Sequence, residues 1–311
     1  MNNETKSEIY AQGYEKWDGD RTHVIPPWFL IGQTALRNLV SSSGCLARIV
    51  FIMMFGFYYI GVFFVGLMHY QLSSLGKYPL MAPVAEIYDQ LIQNTGLEVT
   101  EVLVHRVLIL TPSLMFTLMA MLFYGSQLIS KDKRANALQV YFSKAISRFD
   151  YVLGKYMAVA IITSTVTLVP SAMLILMGLV LAPDHTTFFA QAWYIPLITG
   201  IYWLLLTLSF GTITLAFSSF FSRGYMAAVG VVGFGFITTA FTGLVIALIG
   251  SSDMVGGFAW MVSVIKIGTA LFKLEVSSWS ELIWQIIDLS LICGAGVILI
   301  FRNIRPVEVV K

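Results

Sequence analysis

The chain is short of charge. Only 12% of its 311 residues are Asp, Glu, Lys or Arg, whereas 57% are hydrophobic. A soluble domain carries about 25% charged residues, and a soluble fold with so few could not cover its surface with polar groups. The composition therefore excludes an ordinary soluble protein and indicates a chain whose solvent is the lipid bilayer.

Cysteine is scarce, and the spacings typical of metal ligands are missing. Cys45 and Cys293 are the two cysteines, and they form no CxxC pair. No two of the four histidines stand three or four residues apart, so the sequence predicts no metal or haem site. No basic cluster interleaved with aromatic residues indicates a nucleic acid partner.

Motifs of catalysis and nucleotide binding are also missing. The chain contains no GxxxxGK[ST], HExxH or GxSxG pattern, which would indicate a phosphate-binding loop, a zinc-protease helix or a serine nucleophile. We therefore expect this chain to be no enzyme by itself and to bind no cofactor of its own.

Long apolar runs are what the sequence does contain. A transmembrane helix needs about 20 mostly apolar residues, and six segments meet that length. They are residues 49–70, 107–129, 156–181, 193–217, 225–249 and 282–301. The sequence predicts an all-α integral membrane protein, with a cytosolic N-terminal segment (1–48), a six-span domain (49–301) and a cytosolic tail (302–311).

The basic residues predict the orientation of this domain. Fifteen of the nineteen Lys and Arg residues lie in the N-terminal segment, the second and fourth connections and the tail, and four lie in the other connections. Cytoplasmic connections are rich in Lys and Arg. Both termini are therefore predicted to be cytoplasmic, in a multi-pass protein of the inner (plasma) membrane.

Two further segments predict helices that do not cross the bilayer. The stretch "PPWFLIGQTALRNLV" has apolar residues at helical spacing and predicts an amphipathic interfacial helix before the first span. The stretch "GFAWMVSVIKIGTALFKLEV" precedes the last span. It is too polar for a span and too apolar for a free loop, which predicts an interfacial or re-entrant helix.

The second connection, "ISKDKRANALQVYFSKAISRFDYVLGKY", is basic and yet carries an aromatic stripe. If residues 135–145 form a helix, Leu138, Tyr141 and Phe142 share one face. Such a face has to be buried against something. The chain's own membrane domain and a groove on a separate protein are both open as its cover.

Residues 125–155 carry the order G-x-x-L-I-S-x-D, followed by A-L-x-x-Y-F-S-x-x-I-S-R-x-D-Y-x-x-G-K. This order resembles the cytosolic loop of permeases of the type-two family of ABC exporters. The stretch "LAFSSFFSRGYMAA" is similar to the short loop between spans four and five of that family. The layout of spans, interfacial helix and re-entrant segment is similar over nearly the whole chain.

The resemblance implies that the second connection holds a coupling helix that docks on a separate cytosolic ABC ATPase subunit, present in two copies. ATP and Mg²⁺ would belong to that subunit, and a second permease, identical or related, would complete the transporter. Tyr141 and Phe142 would anchor in the groove of the ATPase. For Arg148 and Lys155 an alternative role is open, in which their positive charges only hold the ends of the spans at the cytosolic side of the membrane. The docking residues that the resemblance implies are Asp132, Leu138, Tyr141, Phe142, Arg148, Asp150 and Lys155.

Polar residues inside the predicted spans are candidates for a translocation path. Glu281, Gln285 and Asp288 lie on one face of the last span, and a carboxylate in a membrane usually faces protein or water. Asp288 either lines an exit path or hydrogen-bonds a neighbouring helix. In the third span, Pro170 frees a backbone carbonyl and predicts a kink, and hydroxyls such as that of Thr167 either compensate this carbonyl or line a cavity.

The function expected from these features is that of the transmembrane permease subunit of an ATP-driven exporter. One alternative is a membrane scaffold that transports nothing and recruits an ATPase for cell-envelope assembly. Another is an ion-coupled secondary transporter, which inverted repeats and paired broken helices would favour. The sequence does not indicate the substrate.

Overall fold

The computed structural model describes residues 25–42, 45–75, 105–143, 146–182, 185–249, 259–272 and 278–304. These residues are almost entirely helical and include no strand. A π-helical turn, Arg106–Leu110, precedes the third helix. In chain order the helices are α1 (Pro27–Ser42), α2 (Cys45–Leu75), α3 (Thr111–Phe123), α4 (Ser130–Arg134), α5 (Ala137–Ser143), α6 (Arg148–Val166), α7 (Leu168–Leu181), α8 (His185–Ala192), α9 (Ile195–Phe220), α10 (Gly224–Ile249), α11 (Trp260–Leu271) and α12 (Trp279–Asn303).

Five helical segments of the described residues are long and apolar enough to cross a membrane, so the chain is an all-α, multi-pass membrane protein. They are Leu108–Arg134, Arg148–Leu181, Phe188–Phe220, Gly224–Leu248 and Trp279–Asn303. They overlap the predicted spans two to six. The first predicted span, residues 49–70, falls within α2, where the described apolar stretch is Ile52–Leu67.

Helix α6 starts within the second connection, ahead of the predicted third span (156–181). It begins at Arg148 because Ser147 caps it: the Ser147 hydroxyl accepts a hydrogen bond from the Asp150 backbone N–H at 3.0 Å. A serine followed three residues later by an acidic side chain is a typical helix start, and the Asp150 carboxylate also faces the positive end of the helix dipole. Of the helix predicted for residues 135–145, Ala137–Ser143 is helical and Ala135 and Asn136 form a turn, while residues 144 and 145 lie outside the described residues.

The third span is broken where proline predicts a kink. Helix α6 ends at Val166 and α7 begins at Leu168, two residues before Pro170, whose missing N–H leaves the Val166 carbonyl without its helical donor. The Tyr58 hydroxyl of α2 donates to this carbonyl oxygen at 3.1 Å and also lies 3.1 Å from the carbonyl oxygen of Leu108 in the π-helical turn. The Tyr58 hydroxyl is therefore a hydrogen-bond partner for two helices whose backbone pattern is interrupted.

We expect Tyr58→Phe to lower the stability of the protein by about 1 kcal/mol, because the freed carbonyl then has no donor inside the membrane. The melting temperature in detergent measures this loss. Tyr225→Phe is the matched control, since the Tyr225 ring is 60% exposed, and it should change the melting temperature less. Equal melting temperatures for the wild type and Tyr58→Phe would contradict the role of this hydroxyl.

Helix α9 is the central element of the bundle. Leu206, Phe210 and Leu215 on this helix are completely buried, and it packs against α3, α6, α10 and α12. Hydroxyl pairs join it to α6, including Thr163 and Thr207 at 2.7 Å between their Oγ1 atoms. Hydrogen bonds between helices stabilise bundles in lipid, so the contacts of α9 hold its neighbouring helices together.

Two shorter helices, α1 near the start of the sequence and α11 near its end, also pack against this bundle. The face of α1 that holds Ile31 and Ala35 is buried and lies on α6. Helix α11 has 12 residues, which is too short to cross a bilayer, and its Trp260 is completely buried. An ion pair between Lys266 and Glu281 joins α11 to α12.

Candidate functional site

The second connection forms two short helices, α4 and α5, which with the turn between them we call the arm (residues 130–143). The turn lies at Ala135 and Asn136, and Asn136 has a φ of 51°. Asparagine is one of the few residues that adopt this left-handed backbone region readily. Asn136 therefore ends α4 and lets α5 start in a new direction.

The aromatic stripe of the arm packs against the chain's own bundle. The rings of Tyr141 and Phe142 lie 5.7 Å and 6.0 Å from the ring of Tyr151, measured between centroids. Tyr151, in the first turn of α6, is completely buried. Leu138, Tyr141 and Phe142 are half-buried and pack against the main hydrophobic core. The chain's own membrane domain therefore covers part of the stripe.

A buried ion pair lies beneath the arm. The Lys155 Nζ atom is 2.7 Å from Oδ2 of Asp132, and the Tyr151 hydroxyl donates to the same oxygen at 2.7 Å. Lys155 is only 3% exposed. A charge so deeply buried is costly unless it is paired, so Asp132 and Lys155 form an internal link between α4 and α6.

Tyr141 lies within the electrostatic influence of the same carboxylate. Burial raises the pKa of the Tyr141 phenol above its ordinary value, and the negative charge of Asp132 adds to this rise. The phenol therefore stays protonated and neutral at physiological pH, as a ring packed on Tyr151 requires.

Ser218 fastens the start of the arm to the end of α9. Its hydroxyl oxygen accepts hydrogen bonds from the backbone N–H groups of Ile129 and Ser130, each at 3.0 Å, and its hydroxyl donates to the carbonyl oxygen of Ser126 at 2.8 Å. The first N–H groups of a helix have no partner within it, so Ser218 caps the start of α4 from a neighbouring helix.

Ser219 extends this attachment to α12. The Lys133 ammonium donates to the backbone carbonyl of Ser219 at 2.7 Å, and the Asn303 side-chain amide donates to its hydroxyl at 3.1 Å. The arm is thus joined to α6 through Asp132 and to α9 and α12 through the serine pair.

The opposite side of the arm faces outward. Arg134, Ala135, Asn136 and Gln139 are exposed, and Val140 is 55% exposed although it is apolar. An apolar side chain on the outer face of a short polar helix is a candidate contact for another molecule. This outer face and the buried stripe lie on different sides of α5.

The other two predicted docking residues belong to the first turn of α6. Arg148 is exposed at its first position, and Asp150 is half-buried. The Ser147 hydroxyl donates to the Asp150 carboxylate at 2.6 Å. In this structure Asp150 therefore takes part in the cap of α6.

The predicted path residues are buried in the bundle. Thr167 lies at the break between α6 and α7, where its hydroxyl donates to the carbonyl of Thr163 at 2.9 Å. Gln285 is 0% exposed and Asp288 is 6% exposed. Among the described residues, the Gln285 amide group and Oδ2 of Asp288 have no hydrogen-bond partner, which is rare for buried polar groups.

A cavity of about 600 Å³ lies between α1, α6, α9 and α12. Its lining is largely apolar and includes Trp28, Met157 and Val297. Thr167, Gln285 and Asp288 are not among the residues that line it, so the structure does not join the predicted path residues through this cavity.

Sequence reasoning missed Tyr151 and Ser218 as the residues that hold the arm. One signal was available: Asp132 is the only acidic residue among the basic side chains of α4, and a lone carboxylate in such a segment is a candidate for an internal ion pair. Its partner could not be read from spacing, because Lys155 is brought to it by the packing of α6.

The chain therefore belongs to the class of helical multi-pass membrane proteins, with a polar connection fastened to one end of the bundle. It matches no protein-family model, and no curated protein is detectably similar to it. Its function is therefore inferred from the residues and their geometry.

Proposed function

We propose that this chain is the transmembrane permease subunit of an ATP-driven exporter. It has six spans, both termini lie in the cytoplasm, and it resides in the inner (plasma) membrane. It works as part of a complex with two copies of a cytosolic ABC ATPase, which binds ATP and Mg²⁺, and with a second permease, identical or related. The chain itself carries no catalytic site.

The observation that supports this proposal is the construction of the arm. A free cytosolic loop needs no packed helix, yet α5 presents Gln139 and Val140 outward while its aromatic side is held by Tyr151. A short helix with a fixed inner side and an exposed outer side suits docking on a rigid groove, as amphipathic helices do. ATP hydrolysis on the partner subunit acts on this chain only through such a contact. A partner shifts the conformational equilibrium of the chain only if it binds the two conformations with different free energies.

The outer face also carries charge that a partner can match. Arg134, at the end of α4, is exposed, whereas the Lys133 ammonium is directed inward to the Ser219 carbonyl. A groove with an acidic rim would complement this basic surface and would speed association. The bilayer surface is the competing contact for a basic segment, and the test below separates the two.

Docking is tested by co-expressing the chain with a candidate cytosolic ATPase that carries a Walker A motif, and measuring how much of this ATPase is purified with the permease. Val140→Asp should reduce the amount of bound ATPase at least about tenfold, since it places a charge in an apolar contact. The melting temperature of the permease should stay unchanged, because Val140 is exposed. Phe189→Asp is the control, an exposed apolar residue on α8, and it should leave ATPase binding intact.

The double variant Tyr141→Ala, Phe142→Ala tests the residues that the resemblance implies. It should weaken ATPase binding as well, because α5 loses the rings that pack on Tyr151. The proposal fails if both Val140→Asp and this double variant bind the ATPase with unchanged affinity.

Export is distinguished from scaffolding by reconstitution. Vesicles that contain the chain and the ATPase, loaded with a metabolite mixture from cell extract, should lose or gain a solute when ATP is added. ATPase recruitment without any change in solute content would favour the membrane scaffold, and solute movement driven by an ion gradient without ATP would favour the secondary transporter.

A further inference from the structure

The residues under the arm have a geometry that docking does not require. Asp132, Tyr151 and Lys155 meet at one carboxylate oxygen, with both contacts at 2.7 Å. Tyr151 and Lys155 are both in the first two turns of α6 and are 0% and 3% exposed. A partner protein cannot reach these atoms while the arm is in place.

The attachment at α6 differs in kind from the attachment at α9. Serine hydroxyls and backbone groups hold the start of the arm to α9, and these are hydrogen bonds that include a single charged donor. At α6 an ion pair and a charged hydrogen bond converge, and contacts between ionised groups are roughly twice as strong as neutral ones. The charged contact at α6 is therefore the part of the attachment that a substitution at Asp132 removes.

Helix α6 continues from this contact to the break at Val166. The Lys155 ammonium lies 5.2 Å from the centre of the Tyr151 ring, which adds a cation–π contact on the same helix. A displacement of Asp132 cannot leave Lys155 behind without separating two buried charges. The first part of α6 and the arm therefore form one mechanical body.

We propose that Asp132 is a positioning residue that locks the arm to α6, so that a push on the outer face of α5 is passed to the first half of the third span. This inference rests on the proposed function for the source of the push, but the lock itself exists without a partner. It gives different roles to the outer face of α5, which was not predicted as a docking surface, and to four of the implied docking residues. Gln139 and Val140 meet the ATPase, whereas Asp132, Tyr141, Phe142 and Lys155 transmit the movement.

The lock is tested with spin labels in a chain whose Cys45 and Cys293 are replaced by serine. Labels at Ala135 and Phe149 report the distance between the arm and α6, since both side chains are exposed and neither is assigned to the contact with the ATPase. Labels at Phe149 and Tyr225 report the distance between α6 and the start of α10. Both distance distributions are measured without partner, and again with the co-expressed ATPase and a non-hydrolysable ATP analogue.

Without partner, Asp132→Asn should give a broader distribution for labels at Ala135 and Phe149 than the wild type. Asp132→Glu keeps the charge and should restore a narrow distribution. Arg134→Gln removes an exposed charge of the same helix and should change nothing. If Asp132→Asn does not fold, the double variant Asp132→Asn, Lys155→Met has no unpaired buried charge and should show the same broadening.

With the ATPase and nucleotide, the wild type should keep its distance from arm to α6 while the distance from α6 to α10 changes. In Asp132→Asn the second distance should no longer respond, although the ATPase still binds. An unchanged distribution for Asp132→Asn without partner would overturn the lock. A normal response of α6 in that variant would overturn transmission through it.

The two proposals fail separately. If the ATPase never binds the wild type while Asp132→Asn broadens the distribution, the exporter function is wrong and the lock stands. If the ATPase binds and the distribution does not depend on Asp132, docking stands and the lock is wrong.

Discussion

Replacing either member of the buried ion pair should cost about 3 kcal/mol of stability, and replacing both should cost far less. Asp132→Asn leaves the Lys155 ammonium without a counter-charge in a site that is 3% exposed, and Lys155→Met leaves the Asp132 carboxylate unpaired. An unpaired buried charge is more costly than an apolar pair of similar size. The melting temperature in detergent of the two single variants and the double variant measures the effect.

The double variant is the internal control for this prediction. Residues in direct contact show coupling energies of about 0.5–3 kcal/mol, so the loss in the double variant should be clearly smaller than the sum of the two single losses. Additive losses would show that Asp132 and Lys155 do not interact in the folded protein.

The second large effect is expected at Gly154, where α1 crosses α6. A methyl group at this position would lie 2.6 Å from the backbone carbonyl oxygen of Trp28 and 2.8 Å from Ile31. The carbonyl is part of the α1 backbone and cannot rotate away. Overpacking typically costs about 1–3 kcal/mol, which exceeds the gain of about 1 kcal/mol in helix propensity from glycine to alanine.

We therefore expect Gly154→Ala to lift α1 from α6. The measurement is thiol labelling of an Ile31→Cys variant that lacks the natural cysteines, because Ile31 is 4% exposed and is shielded while α1 is packed. Labelling should be slow with Gly154 and fast with alanine there. Gly200→Ala is the control, since no atom lies within 4 Å of a methyl group at that position, and equally slow labelling in Gly154→Ala would contradict the prediction.

Hydropathy predicted five of the spanning segments because a membrane helix satisfies its backbone locally and needs an apolar exterior along its whole length. Of the first predicted span, residues 49–70, the described residues of α2 form an apolar stretch from Ile52 to Leu67. The ends of helices depend on a different physical effect. Helix α6 continues through Arg148, Asp150 and Lys155 because Ser147 caps it, and hydropathy does not register a cap.

The break in the third span was predicted from Pro170, but its partner was not. In the sequence Tyr58 is one aromatic residue within an apolar run, and only the packing of α2 brings its hydroxyl to the Val166 carbonyl. The same holds for the arm. Its amphipathic stripe was visible in the sequence, whereas the cover of that stripe depends on Tyr151, a residue of the next helix.

The outward and inward sides of α5 could not be assigned from the sequence. Helical spacing puts Leu138, Tyr141 and Phe142 on one face, the residues alone left the cover of that face open, and the resemblance implied a partner as its cover. The structure packs this face on α6 and leaves Val140 exposed.

Site-specific photo-crosslinking from position 140 tests the central claim most directly. A photoreactive amino acid replaces Val140 in the full chain, which is co-expressed with the candidate Walker A ATPase, and a second variant carries it at the exposed residue Phe189. The account predicts a crosslink to the ATPase from position 140 and none from position 189. Crosslinks from position 140 to lipid alone, or labelling of that position by a membrane-impermeant reagent from outside the cell, would contradict it.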